Sequence, residues 1–464
     1  MELSIVILAA GKSTRFKSAI PKILHPLGGK PLLDYTLELA THLSTRPPVI
    51  VVGPEVEASI QSWAKERAQI TVQVERLGTG HAVMQAQPLL EGRTDQVLVL
   101  YGDMPLLRVE SLQKLIEQHE KTNAAVTILT VQRQDPRGFG RIVRNGIDHI
   151  VAIVEDIEAS PEIAEIRELN TGIYIFDAAF LWSHLPSLQP SPRKGEYYLT
   201  DLVASAAQEG CLIEAVPVED PTEGMGINTR IDLALTSQAL QQRINEHWML
   251  EGITLLDPAT TYIDAEVTLG QDTVIYPNTH LRGATTIGTE SVIGPNTVIE
   301  SCTIGNRCRV TASVLEHAVM EDESNIGPFG HLRKGAHLCK GAHMGNFGEM
   351  KNSTLGPGAK MGHFSYLGDA QVGAGTNIGA GTITCNYDGK SKYPTVIEED
   401  VFIGSDTMLV APLHIGAGAK TGAGSVVTHD VPPHSTVYGV PARTHDSPAP
   451  ETQESEEKGD RERR

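Results

Sequence analysis

The sequence predicts two architectures in series: a Rossmann-like α/β domain, then a parallel β-helix of hexapeptide repeats. Three observations carry this expectation. Short aliphatic runs alternate with helix-favouring stretches up to about residue 228. An aliphatic period of six takes over beyond residue 251. A polar, helix-favouring segment, residues 229–250, joins the two.

In the first part the strand-like runs are IVIL (5–8), VIVV (49–52), VLVLY (97–101), AVTILT (125–130) and TGIYIF (171–176). Helical stretches lie between them, such as Pro31 to Ser44 and Val109 to Lys121. Strands spaced by helices imply a mostly parallel sheet covered on both faces, with ligands beyond the carboxyl ends of its strands. In the joining segment Ile231, Leu235, Leu240 and Ile244 recur at helical spacing, which predicts a connecting helix.

In the second part Ile263, Leu269, Ile275, Leu281, Ile287, Ile293 and Ile299 follow at intervals of six. The phase slips, returns at Ile326, Leu332, Leu338 and Met344, slips to Leu355, Met361 and Leu367, and returns at Ile397, Ile403, Leu409 and Ile415. That period fits neither a helix nor an alternating strand. It places one aliphatic side chain per side of a triangular coil inward. Three hexads per coil give about ten coils over residues 251–440, a prism roughly 50 Å long at ~4.8 Å per coil. Residues 445–464 are charged, contain proline and are expected to be a disordered tail.

Composition narrows the function classes. Hydrophobic residues make up 40% of 464 positions, ample for a large core. No run approaches the ~20 apolar residues of a membrane span. MELSIVILAAGK lacks the basic start of a signal peptide, so a soluble cytoplasmic protein is expected. The 5 cysteines are odd in number and form no CxxC pair, which argues against a disulfide framework or a zinc site. A formal charge of −19 argues against a nucleic-acid surface. Anionic ligands would need cations gathered locally.

LAAGKSTRFKSAIPK (8–22) gathers them. Its GKST imitates the end of a phosphate-binding P-loop, but that motif needs a glycine where Val6 stands. The physical content survives: a strand ends in two alanines and a glycine, backbone N–H groups can face an anion, and Lys12, Arg15 and Lys22 follow. A solvated basic loop is the bland alternative. Asp103, after the strand VLVLY, should share this sheet edge and can hold Mg²⁺ on nucleotide phosphates. Its alternative is a turn aspartate capping the next helix. Gly78-Thr79-Gly80-His81-Ala82, Asn170-Thr171-Gly172 and Gly226-Ile227-Asn228 add close backbone approach and amides. Together these describe a nucleoside triphosphate site.

LAAGKSTRFKSAIPK, QVERLGTGHA, YGDMP, GFGRIVR, NTGIYIF and EYYLTD, in this order, resemble the sugar-phosphate nucleotidyltransferases. With the hexapeptide half attached, residues 1–443 resemble the family of bacterial bifunctional UDP-N-acetylglucosamine pyrophosphorylase/glucosamine-1-phosphate N-acetyltransferases. The resemblance implies a nucleotidyltransferase domain over 1–228, a linker helix over 229–250 and a left-handed β-helix acetyltransferase domain over 251–444. It implies that Leu8, Ala9, Ala10, Gly11, Gln73, Gly78 and Thr79 hold the uridine of UTP, and that Lys22 and Arg15 bind the triphosphate and act in catalysis. Tyr101, Gly102, Gly140, Glu155 and Asn170 would line the sugar, and Asp103 and Asn228 would bind Mg²⁺. One departure stands out: the family's GxGTRM has Ser13 and Phe16 here in place of its second Gly and its Met. If position 13 needs positive φ, serine costs roughly 1 kcal/mol there.

The same resemblance implies a second site on the β-helix. His363 would be the general base toward the amine of glucosamine 1-phosphate, oriented by Glu349. Arg333 and Lys351 would bind the substrate phosphate, with Tyr366 and Asn377 completing the sugar pocket. Ala380, Asn386, Tyr387, Ser405 and Ala423 match acetyl-CoA positions, used across a subunit boundary in a homotrimer. Where the family carries a CoA-binding arginine this chain has Gly439, and Arg443 is the candidate substitute. TITCNYDGKSKYPTVI interrupts the hexads, and solenoid insertions often mark the binding face. Set beside this bifunctional reading are a single-activity hexose-1-phosphate nucleotidyltransferase with a structural or regulatory β-helix, and a non-catalytic scaffold.

Overall fold

The computed structural model describes residues 1–136, 138–193 and 195–445. Two compact units divide the chain at Leu240/Gln241, inside the helix Arg230–Leu250.

The first unit is a Rossmann-like α/β sheet. Its strand order is Ile213–Pro217, Val126–Gln132, Glu168–Asp177, Gln96–Tyr101, Leu3–Ala9, Val49–Val52, Gln69–Val72. The Leu3–Ala9 strand is parallel to both neighbours. Its alternate side chains feed two cores: Val6 and Leu8 on one face, Ile5, Ile7 and Ala9 on the other. Burial on both faces is why this strand reads as an unbroken aliphatic run. The expected strands form where the sequence places them, and the expected helices form as Leu32–Leu43 and Val109–Thr122. One strand differs from a parallel sheet. Glu168–Asp177 runs antiparallel to both neighbours, and the Gly140–Arg144/Ile150–Val154 hairpin hangs from its start.

The connecting helix Arg230–Leu250 is present, and two of the four residues at helical spacing, Leu240 and Ile244, pack inward. Ile231 and Leu235 are 73% and 51% exposed. Leu240, together with Leu233, packs on the small cluster of Phe16, Leu27, Leu32 and Ile227. Further along, Ile244 and Trp248 pack on the β-helix core.

The second unit is a left-handed parallel β-helix of three sheets with 12, 10 and 9 strands. Consecutive coils stack in register, as in Ile275 on Ile293 and Leu281 on Ile299. The inward aliphatic of each side joins one continuous core. The phase slips have a simple origin. Sides shorten from six residues to five between Ile299 and Ile304, Met350 and Leu355, and Leu367 and Val372, all of which remain buried. Close stacking also dictates residue type at corners. A Cβ on Gly345 would lie 1.9 Å from the Gly362 carbonyl oxygen of the next coil.

The strand Ala442–His445 pairs antiparallel with Thr436–Gly439, so the chain is still ordered where the tail was expected to begin. The rest of that expected tail, 446–464, lies outside the described residues.

Leu367 is fully buried in the coil stack. Leu367→Ala should lower unfolding stability by about 2–5 kcal/mol, whereas Ile231→Ala should stay within about 0.5 kcal/mol of the parent. Urea unfolding followed by circular dichroism measures both.

Candidate functional site

Two clefts open at the carboxyl end of the sheet in the first unit. One, about 620 Å³, is lined by the loop after Leu3–Ala9 together with Gln73, Gly78, Thr79 and Asp103. The other, about 640 Å³, is lined by Gly140, Glu155, Asn170 and the Gly224–Asn228 segment. Arg15, Tyr101, Asp103 and Asn228 line both, so the clefts meet at these side chains.

The junction is built by short-range constraints. Ile227 N–H donates to the Asp103 carbonyl at 3.0 Å, which sets Asn228 beside Asp103. Asp232 accepts the Asn228 and Thr229 N–H groups at 2.9 and 2.7 Å, and its own N–H donates to Thr229 Oγ1 at 3.2 Å. This reciprocal cap fixes the start of the Arg230–Leu250 helix. The Lys22 ammonium, on a side chain only 9% exposed, forms an ion pair with Asp103 and reaches Asn228 Oδ1 at 3.5 Å. Arg15 donates to the same Oδ1 at 3.1 Å. A carboxylate oxygen and an amide oxygen thus already converge on one cationic group. Oxygen donors of this kind suit a hard divalent ion such as Mg²⁺.

Each wall has its own support. Gly78 has φ +103°, and a Cβ there would lie 2.6 Å from the Tyr197 carbonyl oxygen. Gln73 is buried and donates to the Gly78 carbonyl at 3.0 Å, presenting its amide to the first cleft. Burial pushes the Tyr101 phenol well above its ordinary pKa; the Glu155 and Asp103 carboxylates push the same way, and a hydrogen bond with Thr79 opposes them. The phenol therefore stays neutral at any working pH. Asn170 donates to Tyr174 Oη at 2.6 Å and accepts the Gly172 N–H at 3.0 Å. Gly102 lines neither cleft; it packs behind Asp103, where a Cβ would lie 2.8 Å from Leu33.

The altered loop residues are accommodated. Ser13 adopts φ 53°, ψ 30°, the left-handed conformation for which glycine is favoured. Phe16 fills the small cluster named above, with the Arg230 guanidinium 4.4 Å from its ring centroid. Sequence reasoning missed Arg76, which lines the first cleft, donates to the Ala10 carbonyl at 2.5 Å and pairs with Glu55. A cation just before the Gly78 turn was the available signal. Arg141, a buried guanidinium that lines neither cleft, meets Asp156 at 2.6 Å and holds that carboxyl below the usual carboxylate range.

In the β-helix, register sorts the expected residues into three groups. The first is a column at one corner. His363 follows Met361 by two, and Met361 pairs with Ile378, Ile378 with Ile403, and Phe402 with Lys420. His363, Ala380, Ser405 and Ala423 therefore occupy one edge on successive coils, about 14 Å from end to end at ~4.8 Å per coil. Thr421 pairs with Val437, so Gly439 tops the same column. Arg443 faces Tyr438 across the closing hairpin and is exposed.

The second group lies on the adjoining sheet. Glu349 pairs with Tyr366, and Lys351 with Gly368, while Arg333 follows Leu332, the partner of Met350. Arg333 and Lys351 thus stack as neighbouring cations. Glu349 forms an ion pair with Arg333 at 2.9 Å, and among the described residues the His363 side chain has no hydrogen bond. Among the described residues no hydrogen bond joins Glu349 to His363; the carboxylate is held by Arg333. The third group holds the remainder. Asn377 sits on the 12-stranded sheet, paired with Lys360 and three residues before the corner residue Ala380. Asn386 donates to Asp369 at 2.6 Å, and Tyr387 bridges Lys392 at the base of the hexad-breaking loop. From His363 to this loop is a whole side of the coil, up to ~20 Å of chain.

Residues 5–175 match the model of the MobA-like NTP transferase domain. Residues 266–301 and 394–429 match the model of the bacterial transferase hexapeptide (six repeats). The chain is 46% identical over 437 residues to the bifunctional protein GlmU of Pelobacter propionicus, covering 93% of this chain and 94% of that one. It is 47% identical to the bifunctional protein GlmU of Carboxydothermus hydrogenoformans, covering 92% and 95%. The bifunctional protein GlmU of Syntrophotalea carbinolica is also 47% identical, covering 94% of each chain.

Ser13→Gly relieves the left-handed strain in the cation-bearing loop. It should stabilise the first unit by about 1 kcal/mol. The shift in its urea midpoint is the measurement; no shift would mean that the loop holds Ser13 without cost.

Proposed function

The chain belongs to the family of bifunctional GlmU proteins, and on that premise we propose an enzyme with two active sites on one polypeptide. One observation carries the reading: similarity to bifunctional relatives runs continuously through both units. The β-helix site acetylates glucosamine 1-phosphate with acetyl-CoA. The sheet site joins the resulting N-acetylglucosamine 1-phosphate to UTP, giving UDP-N-acetylglucosamine, a cell-wall precursor, and pyrophosphate. The single-activity and scaffold alternatives leave the corner column and the paired cations beside it without a role.

In the uridylyl step a phosphate oxygen of the sugar phosphate attacks the α-phosphorus of UTP, and the bond to pyrophosphate breaks. Two anions must approach, so positioning and charge neutralisation are the protein's main contribution. The first cleft takes the nucleotide, with Ala9, Ala10 and Gly11 allowing backbone approach and Gln73 facing the base. The second takes the sugar against Gly140, Glu155 and Asn170. Lys22 and Arg15, at the junction, neutralise the phosphates. Asp103 and Asn228 would hold Mg²⁺, which supplies further neutralisation of the triphosphate. Lys22 then turns from Asp103 toward the phosphates.

In the acetyl step the substrate amine attacks the thioester carbonyl, the carbon–sulfur bond breaks and coenzyme A leaves as the thiol. His363 accepts the amine proton. Arg333 and Lys351 bind the substrate phosphate. That phosphate competes with Glu349 for Arg333, and the released carboxylate is free to orient His363. Tyr366 and Asn377 complete the sugar pocket. Acetyl-CoA runs along the edge of Ala380, Ser405 and Ala423. Asn386 and Tyr387 reach it from a neighbouring subunit of a homotrimer, which explains their distance from the corner within one chain. The enzyme works in the cytoplasm, with 1–228 and 251–444 as its two domains and 229–250 as their linker. No helix among the described residues is long and apolar enough to cross a membrane.

A single reaction containing glucosamine 1-phosphate, acetyl-CoA, UTP and Mg²⁺, resolved by product mass, tests the reading. UDP-N-acetylglucosamine is the expected product; unreacted acetyl-CoA would exclude the acetyl step. His363→Ala should abolish release of coenzyme A thiol while leaving uridylyl transfer to N-acetylglucosamine 1-phosphate unchanged, and equal loss of both would contradict separate sites. Arg443→Ala should raise the KM for acetyl-CoA without raising that for UTP, as initial rates would show. An unchanged KM removes Arg443 from the site.

A further inference from the structure

The nine-stranded sheet of the β-helix carries a cluster that neither reaction uses. The donor atoms of Glu321, His337 and Cys339 all lie within 4.8 Å of one another. The repeat brings them together. His337 and Cys339 flank the inward Leu338, so both side chains point outward. Glu321 follows the inward Met320, which pairs with Leu338, so it lies directly beneath Cys339 at one coil spacing. Glu321 Oε1 meets His337 Nε2 at 2.8 Å, and the Lys340 N–H donates to Glu321 Oε2 at 2.9 Å, which orients the carboxylate. Buried Met320 and Leu338 fix the backbone beneath all three.

The fold supplies its own controls. Glu316–His331 and Glu398–His414 make the same coil-to-coil contact at 3.2 and 3.0 Å. The residues corresponding to Cys339 there are Arg333 and Gly416. The Glu–His contact is thus a recurrent feature of the coil, and the half-buried sulfur distinguishes this instance.

We propose that Glu321, His337 and Cys339 bind a borderline divalent cation of the Zn²⁺ class through one carboxylate oxygen, one imidazole nitrogen and one thiolate. The mixed O, N, S donor set selects such a cation over Mg²⁺, and solvent completes the coordination. Binding replaces the Cys339 S–H bond with a metal–sulfur bond and releases the proton to water. The Glu321–His337 hydrogen bond gives way to two bonds to one ion. The site is independent of the Asp103/Asn228 site, whose donors are all oxygens.

The test is optical titration of the full chain, first stripped with a chelator, with Co²⁺ alone. One equivalent should develop thiolate-to-metal charge-transfer absorption that excess Zn²⁺ removes. Cys339→Ser should lose that absorption, and His337→Ala should weaken Co²⁺ binding at least tenfold. Zn²⁺ should also raise the urea midpoint of the parent chain but not of Cys339→Ser, a readout independent of colour. Absence of charge transfer at excess Co²⁺, its persistence in Cys339→Ser, or undiminished affinity in His337→Ala would each overturn the site.

Discussion

Coil-to-coil backbone hydrogen bonding is the constraint on which the second half of the molecule depends. Once Met361 pairs with Ile378 and Ile378 with Ile403, the corner residues that follow them have no freedom to separate. His363, Ala380, Ser405 and Ala423 then form an edge although they span sixty residues of sequence. The same rule stacks Arg333 under Lys351 and Glu321 under Cys339. A solenoid thus turns sequence period into side-chain columns, and chemistry on its surface follows from which columns hold ionisable groups. The constraint is tight enough to exclude a methyl group at Gly345.

The first unit reaches a similar end by other means. Its functional groups sit beyond the carboxyl ends of parallel strands, where loops from distant positions converge. Here the key contact is Lys22 between Asp103 and Asn228, which come from the start, the middle and the end of the unit's sequence. The pair keeps a carboxylate and an ammonium poised beside each other at the mouth of two clefts. The ammonium is then ready for an anionic ligand and the carboxylate for a cation that accompanies it, and the overall charge of −19 makes this local gathering of cations necessary.

Much of this was legible in sequence, for physical reasons. A β-helix side needs one inward aliphatic residue, so a period of six is visible; where a side shortens to five, the phase slips but burial continues, as at Met350 and Leu355. Ser13 was legible as a departure, because a turn that favours glycine keeps its left-handed φ when glycine is gone. Other features were not. Strand direction depends on distant pairing, so the antiparallel course of Glu168–Asp177 left no mark in its aliphatic run. Helical spacing in residues 230–250 names a face but not what covers it, and Ile231 and Leu235 proved exposed. The Glu349–Arg333 ion pair was not legible either, because only the coil register brings that guanidinium, sixteen residues earlier, within reach of the carboxylate.

Two anion-handling catalysts occupy separate units of a single chain. A crystal structure of the protein grown with UDP-N-acetylglucosamine and coenzyme A together tests this separation. The sugar nucleotide should lie across the junction at Arg15, Tyr101, Asp103 and Asn228, and the pantetheine arm along the His363–Ala423 edge. Both ligands in one unit, or an edge without coenzyme A at saturating concentration, would contradict it.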